Sequence, residues 1–355
     1  MIKRIFATFC VLLLLTGCSS QDKPTQISFS TWGSASELKV LKRVIADYEL
    51  KNPSVKIKLQ HIPQNYFKKL HLLLASNSEP DVILINNQNL PTYADFLYTF
   101  DKSEFKGYFP NSLKCLSYNS ELKAVPRDIS TLVMYYNKLL ITPKPNWTWQ
   151  DLLVDGKYLK QKGLFTLALE PDLLYVYPFM LAYGENPDGI NAENLTEYKS
   201  VEFYKSLSEK YGYAPKDYEI GMATPAEFFL GQKSAYYLSG RWMLPKLREA
   251  ATFPWGVVEL PKGKYRSTPC DATGWAISKR SKNIREAKQF VNYLASNKSL
   301  LLMSEEGLII PAKISVANSV ISPQPFVNLG FTSKTINYPS KYDKIREGVN
   351  KYLRQ

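Results

Sequence analysis

Histidine and cysteine are scarce in this chain of 355 residues, which holds only His61, His71, Cys10, Cys18, Cys115 and Cys270 of these two types. No HExxH pair and no CxxC spacing occurs. The usual zinc-hydrolase and zinc-ribbon patterns are therefore excluded. A Walker-type phosphate loop and a GxSxG elbow are also absent, which removes the common nucleotide-hydrolysing and serine-hydrolase patterns. Glu170 and Asp172 come nearest to a glycosidase pair, yet two carboxylates so close on one turn point apart and would not flank a bond. Nothing here assembles a catalytic site, and no cofactor or metal is expected. Long apolar runs are lacking too. The longest, Ile5 to Leu15, is eleven residues, against roughly 20 for a membrane-spanning helix.

That run sits behind Lys3 and Arg4 and ends in Leu15-Thr16-Gly17-Cys18, the order of a secretory leader with a lipoprotein cleavage box. Residues 1–17 are expected to be removed, leaving Cys18 as a lipidated N-terminus and 18–25 as a short polar tether. The body would then work outside the cytoplasm, membrane-anchored through its lipid on the periplasmic or extracellular side. Net charge is +13, or +11 once Lys3 and Arg4 leave with the leader. The basic residues are dispersed, as at Lys39, Lys42, Arg43, Lys51, Lys56 and Lys58, so a solvated basic surface explains them and a nucleic-acid partner is not expected. Steering of an anionic ligand stays open as a second account. Cys115 and Cys270 are the two thiols left in the body. Two separate buried thiols are the expectation, with a disulfide as the alternative that an oxidising compartment permits.

Beyond the tether, hydrophobic residues at 45% and charged residues at 22% describe an ordinary folded protein. Its length exceeds the usual single core of about 250 residues, so two lobes are expected. Ile27 to Trp32 alternates like a strand, and Ser34 with Glu37 reads as a capping box before the helical stripe Leu38, Leu41, Ile45 and Tyr48. A second strand at Val55 to Ile62, a helix marked by Tyr66, Phe67, Leu70, Leu73 and Leu74, and a buried-type strand at Asp81 to Ile85 complete a βαβαβ opening. Further strands are expected at 133–136, 164–169, 235–238, 255–260 and 273–278, with helices capped at Thr148 and spanning 173–183 and 201–211. The stripe Ile284, Ala287, Phe290, Val291 and Leu294 marks another helix. The fold class is α/β, with two lobes whose sheets are mainly parallel and flanked by helices.

With the elements placed, the local wording resembles one family nearly end to end. The pieces are Ile27 to Trp32, Ala46 to Pro53, Glu79 to Ile83, Val133 to Lys138 and Trp147 to Leu152. Ser239-Gly240-Arg241-Trp242, Gly256 to Gly263 and Ala276 to Asn283 follow in order. The chain is similar to the extracellular solute-binding proteins of ABC importers, in the maltose-binding-protein-like branch that captures sugars and glycerol phosphates. That resemblance implies a monomer with the periplasmic-binding-protein fold, its two lobes hinged by crossover strands. One lobe would comprise 26–128 plus 273–312 and the other 129–272 plus 313–355, with crossings near Asp128 to Thr131, near Asp271 to Gly274 and after Pro311. A small solute would select the closed state because only there does it touch both lobes, and permease subunits would receive it. A sugar or polyol is the expected solute, a glycerol or sugar phosphate the alternative. A non-transport surface lipoprotein on the same fold is the third reading.

Sugar sites flank the ligand with aromatic faces and with donors and acceptors for its hydroxyls. Trp32 and Ser34 follow the first strand, Gln64, Asn65 and Tyr66 the second, and Asn86 and Asn87 the third, so all face one crevice of a parallel sheet. Tyr66 and Trp32 are otherwise core or helix-start residues. The resemblance places ligand contacts at Tyr66, Asn87 and Ser130, with Ser239 opposite them. Arg127 stands where relatives have an aromatic or small residue. Arg127 and Arg241 either grip an anionic group bidentately or pair with neighbours such as Asp128 or Glu249. Trp242 either stacks on a sugar ring or packs under the helix that starts there. Asp271-Ala272-Thr273-Gly274 replaces the consecutive glycines of many relatives, leaving Thr273 and Gly274 as contacts with altered backbone approach. Leu308 and Ile309 stand near a position that is aromatic in glycerol-phosphate binders. The segment Tyr338 to Tyr342 resembles one that reaches back to the cleft, which makes Tyr342 a further contact.

Overall fold

The computed structural model describes residues 23–266, 268–305, 307, 309–320 and 325–355. The leader, Cys18 and Leu308 lie outside the described residues. Strand β1 (Thr25–Thr31) leads into helix α1 (Ala35–Lys51) through the capping box read from the sequence. The Glu37 N–H donates to the Ser34 hydroxyl at 3.2 Å, and the Ser34 N–H donates to the Glu37 carboxylate at 2.8 Å. Strand β2 (Val55–His61) pairs parallel with β1 along its whole length, and helix α2 (Tyr66–Ala75) then delivers β3 (Val82–Asn86) to the other side of β1. The inward positions Ile27 and Phe29 are fully buried, with Phe290 edge-on to Phe29 at 5.6 Å and tilted on Tyr48 at 5.0 Å.

Helix α3 (Pro110–Cys115) precedes β4 (Val125–Ser130), which carries Pro126 inside a strand. After one residue the chain enters a second sheet as β5 (Leu132–Asn137). Helix α4 (Trp149–Gln161), capped reciprocally by Thr148 and Asp151, is followed by β6 (Phe165–Ala168), α5 (Leu173–Tyr183), α6 (Lys199–Glu209), β7 (Ser234–Gly240) and β8 (Trp255–Val258). The chain returns to the first sheet as β9 (Pro269–Ile277), and β10 (Ile310–Pro311) and β11 (Lys334–Thr335) follow. The order is β10-β4-β9-β3-β1-β2 in the first sheet, with β11 pairing β9, and β8-β5-β7-β6 in the second.

The sheets are mixed, which corrects the expectation of mainly parallel ones. β9 is antiparallel to both β3 and β4, and β5 is antiparallel to both β7 and β8. A strand arriving from the other sheet has no flanking helix to reverse it, so it enters against its neighbours, whereas parallel neighbours need a covering crossover. Alternation along β5 sorts the core. Val133 and Tyr135 join the apolar cluster of the first sheet, while Leu132 and Met134 join a second cluster built on Trp147, Tyr177 and Tyr236. Both faces of the second sheet are thereby covered, and β7 is buried throughout.

Where the chain passes between the sheets, three segments lie side by side. The Leu132 N–H donates to the Thr268 hydroxyl at 2.9 Å, Ser130 pairs with Asp271, and Cys270 pairs with Thr335. The third passage falls later than Pro311. Val316, Ala317, Phe326 and Leu329 still pack in the first cluster, while Ile336, Tyr338, Tyr342 and Val349 pack in the second. The last of these residues belongs to helix α7 (Tyr342–Leu353).

Candidate functional site

The register of β4 against β9 slips between Thr273 and Gly274, because Thr273 faces Asp128 and Gly274 faces Pro126. Arg127 is the extra residue of this bulge. Proline has no N–H for the ladder and is tolerated where pairing breaks, and the bulge re-aims the side chain beside it. The Arg127 guanidinium turns to Asp128, with Nε 2.6 Å from Oδ2, and lies 3.8 Å from the Glu37 carboxylate. It pairs with its neighbours, as one of the two sequence readings held. Asp128 is buried and also accepts the Thr273 N–H at 3.2 Å. Burial pushes its carboxyl upward and Arg127 pulls it back. Gly274 is required for contact, since a Cβ there would stand 2.6 Å from both the Leu116 side chain and the Val125 carbonyl oxygen.

Beside Arg127, half-buried Trp32 stands at the carboxyl end of β1 and lines a crevice of about 30 Å³ with Glu37, Trp275 and Ile309. Tyr66 backs Trp32 edge-on at 4.8 Å and is only 5% exposed. Its hydroxyl bonds the Ser30 hydroxyl at 2.7 Å, and burial raises its phenol far above the usual range. Tyr66 thus supports Trp32 from beneath. Ser34 is exposed as the cap of α1, and Gln64 and Asn65 are exposed before α2. Ser130 is half-buried at the passage between the sheets.

Asn87 turns toward β9. Its amide donates to Asp271 Oδ1 at 3.0 Å, its carbonyl accepts the Ala272 N–H at 3.0 Å, and Gln88 donates to Asp271 Oδ2 at 3.0 Å. The Tyr338 hydroxyl completes the set at 2.8 Å from Asp271 Oδ1. Burial raises the Asp271 carboxyl, against three side-chain donors that lower it. Asn86 holds the turn, accepting the Asn89 N–H at 3.0 Å. Tyr342 is 3% exposed and lies edge-on to Tyr338 at 4.6 Å, within the second core.

From the second sheet, Ser239 is fully buried at the end of β7, and Trp242, 41% exposed, folds its ring back over Gly240. A Cβ at Gly240 would stand 2.0 Å from that ring. Arg241 does not pair with Glu249. It is 4% exposed, its Nε donates to the Ile309 carbonyl at 2.9 Å, and its guanidinium lies 5.7 Å from the Phe326 ring centre. Burial lowers its pKa to about 10. Sequence reasoning missed Glu170, which lies two residues past the end of β6, beside the end of β7 that carries Ser239. Ala168 pairs with Tyr237, and the Glu170 carboxylate accepts the Tyr237 hydroxyl at 2.7 Å. Burial raises the Glu170 carboxyl above its ordinary range. The available signal was a carboxylate directly after a strand, considered only as half of a catalytic pair. Asp172 departs to Arg346 at 2.8 Å and Asn350 at 2.6 Å, so the two acids face different partners. Among the described residues no cluster of three or more His, Cys, Asp or Glu side chains is placed to hold a metal ion, and no helix is long and apolar enough to cross a membrane.

Two α/β lobes with polar and aromatic side chains gathered at the strand ends of each, joined by three adjacent passages, define the class of two-lobed solute-binding proteins. The chain belongs to the bacterial extracellular solute-binding protein family, whose model matches residues 43–325. It is 26% identical to the galactooligosaccharide-binding protein of Bacillus subtilis, covering 87% of this chain and 79% of that one. It is 24% identical to the multiple sugar-binding protein of Streptococcus mutans, covering 91% and 85%. Among solved structures, the GacH receptor of Streptomyces glaucescens, described unliganded and with acarbose, superposes with a TM-score of 0.80 at 19% identity over 94% of this chain and 93% of that one. A Listeria monocytogenes substrate-binding protein in complex with cycloalternan gives 0.77 at 19% identity over 94% and 93%. These likenesses establish the maltose-binding-protein-like fold.

Proposed function

We propose that this protein is the lipid-anchored substrate-binding component of an ABC import system and captures a neutral oligosaccharide between its lobes, without turnover, for delivery to a membrane permease. The observation that supports the reading is that each lobe carries an incompletely buried indole at the end of a strand, Trp32 after β1 in the crevice with Glu37 and Ile309 and Trp242, 41% exposed, after β7. An aromatic face for sugar C–H patches beside hydroxyl acceptors is the arrangement a saccharide needs. A neutral ligand is favoured over a phosphate because Arg127 is already neutralised by Asp128 and Glu37. The relatives named for galactooligosaccharide and multiple-sugar binding support the ligand class. In this proposal the lobes are the two sheets with their helices, the passages at 130–132, 268–271 and 335–336 are the hinge, and Cys18 carries the lipid. Trp32, Ser130, Trp242 and Glu170 are the first choices for ligand contact.

The test is a thermal-shift panel of malto-oligosaccharides, galacto-oligosaccharides and glycerol phosphates, followed by calorimetry on the hits. A ligand at 100 times its dissociation constant adds about 2.7 kcal/mol of stability, an easily resolved shift. An oligosaccharide hit without turnover supports the reading. A phosphorylated ligand as the sole hit would replace it with the anionic alternative, and cleavage of any sugar in the panel would end it.

A further inference from the structure

The two thiols of the body meet at the hinge. Cys115 is the last residue of α3, and Cys270 is the second residue of β9, inside the group of segments that passes between the sheets. The Cys115 thiol donates to the Cys270 carbonyl at 3.1 Å, although the residues lie 155 positions apart. The Cys270 side chain and burial together raise the Cys115 thiol well above its ordinary value. The end of α3 is pressed on the strand, because Leu116 leaves no room for a Cβ at Gly274. Cys270 is fully buried, while Cys115 opens on a groove with Lys114, Tyr118 and Asn337.

We propose that Cys115 and Cys270 form a redox pair that closes to a disulfide under oxidising conditions and ties helix α3 to the hinge. The chemistry is thiol–disulfide exchange. With glutathione disulfide as oxidant, one cysteine thiolate attacks a sulfur of it and expels glutathione thiolate; the second thiolate then attacks the mixed disulfide at the protein sulfur and expels the other glutathione. Two thiol protons end on two glutathione molecules, the protein sulfurs lose two electrons and the glutathione disulfide gains them. Cys115 is the attacking residue, being the one with an opening to solvent. Its raised pKa makes the reaction slow in the folded chain. In the cell the oxidant would be the extracytoplasmic disulfide machinery, so the physiological role rests on the export reading above. A bond here would restrain β9 at the point where the lobes must rotate about it, making hinge stiffness a function of redox state.

The purified full chain is incubated with glutathione disulfide or with dithiothreitol, alkylated, digested with trypsin and mapped by mass spectrometry. Cleavage after Lys114, Lys123, Arg266 and Lys279 isolates residues 115–123 and 267–279 as one peptide for each cysteine. The expected result is a linked pair of these peptides, lighter by two hydrogens than their sum, in the oxidised sample only. Its melting temperature should rise by roughly 5 °C and fall back on reduction. Cys115→Ser should abolish both effects while its hydroxyl keeps the bond to the Cys270 carbonyl. Free alkylated thiols after oxidation, separate glutathione adducts on each peptide, or links between chains would each overturn the proposal. Because the reaction is run on purified protein, a failure of the export or sugar-binding readings leaves this result independent.

Discussion

The Tyr338 hydroxyl donates to Asp271 Oδ1 at 2.8 Å and joins the last passage of the chain to the strand that returns it to the first sheet. Asp271 accepts Asn87 and Gln88 from the turn after β3 as well, so one half-buried carboxylate gathers three elements. Tyr338→Phe removes a single bond and should cost about 1 kcal/mol in denaturant unfolding. Asp271→Ala strands three donors and should cost roughly 2–4 kcal/mol. Equal losses for the two variants would show that the carboxylate does not organise the cluster.

Trp242 covers Gly240, and the space for a side chain there is taken by the indole. Trp242→Ala should weaken oligosaccharide binding about tenfold or more while shifting the melting temperature little, since the ring is partly exposed. Gly240→Ala, which displaces the ring without removing it, should reproduce much of that loss. Calorimetry with the best ligand of the panel decides both, and undiminished affinity in the first variant would place Trp242 outside the site.

Arg127 and Asp128 form a pair whose acid is almost wholly buried. Arg127→Met leaves that carboxylate uncompensated and should destabilise the fold by about 3 kcal/mol, much of it recovered in the double variant with Asp128→Asn. The affinity for a neutral oligosaccharide should change by no more than about twofold. A larger loss, specific to a phosphorylated ligand, would return Arg127 to a binding role.

Glu170 has its carboxyl raised by burial, so the folded state favours the protonated form. Its contribution to stability is full below the unfolded glutamate value and is lost as pH rises through the folded one. Glu170→Gln keeps an acceptor for Tyr237 and removes the titration. Relative to wild type it should therefore gain stability between pH 4 and pH 7 (a window of about three units around the ordinary carboxylate range), as followed by melting temperature. Parallel curves for the two proteins would show that Glu170 is not desolvated.

The local grammar of this chain was readable in advance. The Ser34 and Thr148 caps, the βαβαβ opening and the helix at 173–183 lie where periodicity and capping put them, because each is decided within about a dozen neighbouring residues. Strand β4 was missed because Pro126 argues against a strand, and only the bulge opposite Gly274 makes room for it.

The sequence by itself determined a two-lobed α/β chain with family wording along nearly its whole length. The tertiary structure alone decided which side chains meet. Asn87 finds Asp271 across 184 positions, Cys115 finds Cys270 across 155 and Tyr338 finds Asp271 across 67. Those partnerships join segments far apart in the chain that the fold lays side by side, and no local periodicity encodes which segments will meet. The passages between the sheets decided that the sheets are mixed and that Arg127, aimed by a bulge, answers to Glu37 and Asp128.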